Sequence, residues 1–311
     1  MAKSGIGWTQ YTWNPATGCT QVSPGCDNCY AKYLINTRQV KNPKLPRFGH
    51  PFHEVMLHAK RLKYPSHWRK PRRIFVDSMS DLFHRNIPNE FIDQIFDEME
   101  RNERHVFQVL TKRAERMKRY VNRRYPNAKC PAHIWLGVSI ENMDYAWRAK
   151  MLRETNATVR WISAEPLLGP LGKLSLDKID WLVVGGESGR GARPLKEVWV
   201  RKLRDRCVAR CVPFFFKQWG GETKKRAGKH AKLDGRRWIQ YPKGLRRPSK
   251  TRSSGMKTPF MSVTSTSKRV AIVPRSSREH ILRDVRLRPT RRDRRPTGPA
   301  RTRGSRADHS R

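Results

Sequence analysis

The stretch IFVDSMSDLFHRNIPNEFIDQIFDEMERNERHVFQVLTKR, residues 74–113, holds one complete strand–helix–strand unit. Ile74–Ser78 and Val106–Leu110 are short runs of β-branched and aromatic residues, the composition of strands. Between them, over Asn89–Arg101, the apolar Phe91, Ile92, Ile95, Phe96 and Met99 recur at helical spacing, so one face of a helix is free to pack on a sheet. Each run ends in polar residues, Asp77-Ser78-Met79-Ser80-Asp81 after the first and Thr111-Lys112-Arg113 after the second.

The same unit repeats outward in both directions. Further strands are predicted near Trp8–Trp13, Ile134–Ser139, Val159–Ser163, Trp181–Val184 and Pro213–Lys217. Helices are predicted over Arg113–Arg124, Met143–Thr155 and Leu195–Cys211, with shorter ones after Cys29 and around Glu54–Leu62. Strands alternating with amphipathic helices predict an α/β fold, a complete or partial (β/α) barrel with parallel strands.

Ligands of parallel α/β folds bind at the carboxyl ends of the strands. Here every such end carries a charged or amide group. Besides the two already quoted, the ends read Ser139-Ile140-Glu141-Asn142, Ser163-Ala164-Glu165-Pro166, Gly185-Gly186-Glu187-Ser188-Gly189 and Lys217-Gln218-Trp219. The recurrence predicts one shared pocket. Two glycines at 185 and 186 allow close backbone approach, and Glu187 offers an acceptor for an ammonium or hydroxyl. Lys112, Arg113, Lys217 and Gln218 suit a phosphate or carboxylate, and Glu141 and Glu165 complete the substrate candidates.

After the first strand comes Gly18-Cys19-Thr20-Gln21-Val22-Ser23-Pro24-Gly25-Cys26-Asp27-Asn28-Cys29-Tyr30. Its Ser-Pro-Gly turn lets three sulfurs converge. Thiolates suit zinc and iron–sulfur clusters, and a closed site of either kind normally has four protein ligands. Three leave a position open. That means chemistry at a zinc, a distant fourth ligand such as Cys130, His50 or His53, or a [4Fe–4S] cluster with one iron free, unless the cysteines are merely packed. Cys207 and Cys211, just before Phe214-Phe215-Phe216, read as core.

Composition divides the chain at residue 244. Residues 245–311 hold 20 Lys or Arg against 4 acids and a single aromatic, Phe260. Such a segment buries too little apolar surface to offset its ordering entropy and is predicted to be a disordered basic tail. Residues 1–244 still carry 47 basic and 22 acidic residues, and the whole chain is +41. Runs such as Arg69-Lys70-Pro71-Arg72-Arg73 make nucleic acid a candidate partner, through this surface and the tail. No apolar run approaches the ~20 residues of a membrane span, and no secretory pattern opens the sequence, so a cytoplasmic protein without membrane contact is expected. Oligomeric state is not legible.

The three-cysteine loop after a first strand, followed by a βα series, resembles the radical S-adenosylmethionine superfamily. More closely, Trp13-Asn14-Pro15 with the cysteine loop, Asp77-Ser78-Met79-Ser80-Asp81-Leu82-Phe83-His84, Leu110-Thr111-Lys112-Arg113, Glu165-Pro166-Leu167-Leu168-Gly169-Pro170, Gly185-Gly186-Glu187-Ser188-Gly189, Ala192-Arg193-Pro194 and Phe216-Lys217-Gln218-Trp219-Gly220 resemble a phage and prophage family of unestablished activity. The likeness spans residues 1 to about 242. It implies that Cys19, Cys26 and Cys29 hold a [4Fe–4S] cluster whose open iron binds S-adenosylmethionine. An electron donor would then drive reductive cleavage to a 5′-deoxyadenosyl radical. It implies further that Gly185, Gly186 and Glu187, or Asp77, Ser78, Ser80 and Asp81, contact that cofactor. The substrate stays unnamed. Two other classes remain: a zinc-stabilised nucleic-acid-binding phage protein without catalysis, and hydrolysis by Asp77, Asp81, Glu141, Glu165 and Glu187.

Overall fold

The structure, a computed structural model, describes residues 3–222 and 231–242. The tail predicted over 245–311 lies outside the described residues. Seven strands form one open sheet: β1 (Tyr11–Trp13), β2 (Arg73–Val76), β3 (Val106–Thr111), β4 (Cys130–Ser139), β5 (Ala157–Ala164), β6 (Trp181–Gly185) and β7 (Phe214–Gln218). Each pairs in parallel with the next in the chain, and the sheet curls into a half-barrel. The partial form of the expected barrel is therefore the observed one.

Five α-helices lie along the described chain: α1 (Tyr30–Leu34), α2 (Asn89–Arg101), α3 (Ala114–Arg124), α4 (Trp147–Arg153) and α5 (Glu197–Ala209). Because a strand is two-sided, alternate residues belong to two different cores. Ile74, Val76, Phe107, Val109, Leu136, Val138, Ile162, Leu182 and Val184 share one core with the apolar residues of α2 to α5. Phe75, Trp135, Trp161, Trp181, Val183 and Phe215 belong to the other, together with Trp8. There the indoles pack edge-on or tilted, with Trp161 and Trp181 at 5.3 Å and Trp135 and Trp181 at 5.6 Å between ring centroids. This face is filled by aromatic rings rather than left as a channel.

Two expected helices differ. Around Glu54–Leu62 the chain forms a short strand, Met56–Leu57, antiparallel to Ala16–Thr17, and a 3-10 turn over Ala59–Arg61. The strand pairing and the His58 N–H bond to the Pro15 carbonyl take backbone groups a helix would have used, and the buried Arg47 guanidinium fixes the segment before them by donating to the carbonyls of Thr17, His50, Pro51 and Glu54. Met143–Thr155 divides into a 3-10 turn, Met143–Tyr145, and α4. No helix among the described residues is long and apolar enough to cross a membrane.

Candidate functional site

The strand alternation that places Phe75, Trp161 and Phe215 in the aromatic core continues two residues later to Asp77, Ser163 and Lys217. These and Lys112, Ser139 and Glu165 line a cavity of about 410 Å³ at the carboxyl ends of the strands, above Trp8, Phe75 and Leu110. Cys19, Cys26 and Cys29 line the same cavity. So do Ser78, Ser80, Asp81 and Arg113. A second cavity of about 210 Å³ adjoins it, with Glu165 and Lys217 lining both. Gly186, Glu187 and Gln218 belong to this second one.

The cysteine loop is tied to the ends of four strands. From β2, the buried His84 accepts from the Asn86 N–H at Nδ1, so its proton sits on Nε2 and is donated to the Thr20 hydroxyl at 2.9 Å. Burial lowers the His84 pKa to about 4 and keeps the ring neutral. From β3, Arg113 donates to the Thr20 carbonyl at 2.9 Å and to Cys19 Sγ at 3.4 Å. From β4, Glu141 accepts from the Ser23 hydroxyl at 2.8 Å. From β6, Glu187 accepts from Asn28 Nδ2 at 3.0 Å. Tyr30 adds a further tie, its hydroxyl donating to the Ser78 carbonyl.

Four carboxylates of the predicted set are thereby sorted. Glu141 is wholly buried and satisfied by Ser23, by Lys112 Nζ at 3.3 Å and by Arg148 Nη1 at 3.0 Å. It fits because residue 25 is glycine: a Cβ there would stand 2.6 Å from the Glu141 carboxylate. Asp81 accepts from Thr111, from the Phe83 and Lys112 N–H groups and from Arg113. Glu187 accepts from the Arg193 side chain at 2.7 and 2.9 Å and from its N–H at 3.0 Å. Burial opposes its charge, but Arg193 and Asn28 outweigh burial and hold its pKa below the ordinary value. Glu165 pairs with Lys217.

Asp77 is the exception. It sits just past β2 at φ 55°, is 2 % exposed, and accepts at Oδ1 from the Ala16 N–H at 3.0 Å. Its Oδ2 is buried and has no partner. Burial, against the Ala16 bond and with the Asp81 charge adding to it, raises its pKa to about 8. Asp77 lines the larger cavity with one carboxyl oxygen buried and unpaired, in a backbone conformation that non-glycine residues adopt at a cost.

The Gly185-Gly186-Glu187 run is built differently from its expected use. The close approach that Gly186 allows is taken by the chain itself, since a Cβ there would lie 1.9 Å from the Trp219 carbonyl. Gly185 lies behind Glu165, and Gln218 donates to the Gly186 carbonyl. Ser139 and Ser163, at the strand ends, also line the larger cavity. The pairings of Asn28 and Arg193 with Glu187 and of Arg148 with Glu141 carry no signal in the sequence.

Of the candidate fourth ligands, His53 lines the larger cavity, and His50 pairs with Glu54. Cys130 begins β4, at the opposite end of the strand from the cavity. Among the described residues no three His, Cys, Asp or Glu side chains gather closely enough to hold one metal ion. Burial, with the Asp81 charge adding to it and Arg113 opposing, pushes the Cys19 thiol up to about 12.

Residues 3–242 match a family described as a protein of unknown function, DUF5131. The chain belongs to this family. The match covers all seven strands and the cysteine loop, and ends where the described residues end, so the cavity is a feature of the DUF5131 region itself. The comparisons with curated proteins and with solved structures returned no match.

Proposed function

We propose that the chain is a radical S-adenosylmethionine-type iron–sulfur enzyme, with Cys19, Cys26 and Cys29 as the thiolate ligands of a [4Fe–4S] cluster. The observation that carries this is the presence of all three sulfurs on the wall of one cavity at the carboxyl ends of a parallel half-barrel. The donor set fits the group. In a cluster each thiolate binds a different iron, and Cys19, Cys26 and Cys29 come from one loop and all line the larger cavity. Bound there, the cluster supplies the electron for reductive cleavage of the sulfonium, received from an electron donor.

The chain's own residues hold and shield the reactants. Among the described residues Asp77 Oδ2 is the buried carboxyl oxygen without a partner, and Asp77 lines the larger cavity, which suits it to a hydroxyl or amino group of the bound cofactor. Trp8, Phe75 and Leu110 close the base of the cavity with apolar surface and exclude water. The Glu165–Lys217 pair, lining both cavities, separates cofactor from substrate space. The test is anaerobic reconstitution of the full chain with iron and sulfide, followed by S-adenosylmethionine and dithionite. Production of 5′-deoxyadenosine supports the proposal, and a cluster-loaded protein that produces none removes it.

A polyanionic partner is favoured by the charge of residues 1–244. Lys60, Arg69, Lys70 and Arg119 are exposed, and Lys63, also exposed, pairs with Glu98 at 3.3 Å. Other members of the basic runs are already spent: Arg116 donates to the Ile87 carbonyl and Asn89, Arg72 lies 4.0 Å from the Tyr11 ring centroid, and Arg124 meets Asp93, Asp97 and Glu100. The salt slope of DNA binding, compared between the chain and its K60E/R69E/K70E variant, measures the surface contribution.

A further inference from the structure

Arg113 stands where β3 ends, and sequence alone assigns it to a substrate anion. The structure shows its guanidinium occupied on the protein's side of the cavity wall. Nη1 donates to Cys19 Sγ at 3.4 Å and to Asp81 Oδ2 at 3.0 Å; Nη2 donates to the Thr20 carbonyl at 2.9 Å and to the Thr20 hydroxyl at 3.2 Å. One planar fork thus grips a cysteine sulfur, the backbone beside that cysteine and a carboxylate behind it. The side chain is 14 % exposed and Asp81 is 8 % exposed, so water screens these contacts little. Asp81 is fixed in turn by Thr111 at 2.6 Å and by the Phe83 and Lys112 N–H groups.

Among the described residues no cationic side chain donates to Cys26 or Cys29 as Arg113 does to Cys19, and Cys26 meets the Ser23 hydroxyl at 3.9 Å. The three sulfurs are therefore inequivalent. A positive hydrogen-bond donor on a thiolate ligand stabilises the more electron-rich, reduced form of an iron–sulfur group, and such contacts are one of the protein's levers on potential.

We propose that Arg113, held by Asp81, is the positioning residue that orients Cys19 and raises the reduction potential of the group the three cysteines carry. The inference rests on the iron–sulfur reading of the site. The step it governs is a one-electron reduction of the bound cluster by an external reductant, in which no bond of Arg113 is made or broken. Lysine at this position keeps the charge but cannot hold sulfur, carboxylate and Thr20 in one fork; methionine keeps length and loses both.

The test is a redox titration of the reconstituted full chain, followed by its visible spectrum and low-temperature spin resonance. Wild type, Arg113→Lys and Arg113→Met are compared at matched iron content, with thermal melts reporting on folding. The expected result is a more negative midpoint potential in Arg113→Met, an intermediate one in Arg113→Lys, and an altered spin-resonance signal in both. Potentials equal to that of the wild type overturn the inference and leave the iron–sulfur reading standing. Loss of the cluster in Arg113→Met with an unshifted potential in Arg113→Lys also overturns it, because that pattern belongs to a residue that only holds the loop. A folded wild-type protein that takes up no iron overturns both.

Discussion

Glu141 and Asp77 are two buried carboxyl groups beyond the ends of β4 and β2 around one site, and their surroundings are opposite. Glu141 has Ser23, Lys112 and Arg148 about it, and glycine at 25 makes the space it needs. Asp77 has one backbone N–H and an oxygen with no partner, at a positive φ. Burial is the same, so burial does not tell them apart. What does is whether the protein has supplied the counter-groups: where it has, the carboxylate holds the cysteine loop, and where it has not, the group carries the role proposed above for Asp77.

The sharpest break in this comparison is Glu141→Gln. It leaves the Arg148 guanidinium, 1 % exposed, without its charge partner, and a cost of about 3–5 kcal/mol is expected in denaturant unfolding. A smaller effect follows from Gly25→Ala, whose methyl would meet the Glu141 carboxylate at 2.6 Å; about 1–3 kcal/mol is expected, with weaker iron uptake if the loop is displaced. On the more exposed rim, Arg193→Met removes the partner of Glu187 at 35 % side-chain exposure. About 1 kcal/mol in the same assay is the expected cost.

Asp77→Asn is expected to cost least, and its signature is a pH dependence. The folded pKa lies at about 8 against the ordinary 3.8. Between those values the unfolded chain has lost the proton and the folded chain retains it, so the wild-type contribution falls as pH rises through this window. The variant removes that slope. Its stability should match or exceed the wild type at pH 7, and the difference should shrink toward pH 4. A wild-type minus variant difference that is flat across the window contradicts a protonated Asp77.

Sheet and helices were legible because their signals are local. The run of β-branched and aromatic residues in Ile74–Ser78 and the helical spacing from Phe91 to Met99 need no knowledge of partners, and the observed β2 and α2 follow them. The polar strand ends were legible as a set for the same reason. Their division into holding and ligand-facing groups was not. Glu141 meets Ser23 across 118 residues and Glu187 meets Asn28 across 159, distances over which a single sequence carries no pairing signal. Arg113 shows the same limit, being a plausible anion ligand in sequence and a partner of Asp81 and Cys19 in space. The missing helix around Glu54–Leu62 is a tertiary effect too, since that segment pairs instead with Pro15–Thr17.

The central claim, that Cys19, Cys26 and Cys29 together hold an iron–sulfur cluster in the larger cavity, is tested most directly by iron and sulfide content with the visible spectrum after anaerobic reconstitution. Wild type and the Cys19→Ser, Cys26→Ser and Cys29→Ser variants are compared. The account predicts about four irons per wild-type chain and absorption near ~400 nm, both lost on replacing any one of the three. Stoichiometric zinc without iron in the wild type, or a cluster that survives these replacements, would contradict it.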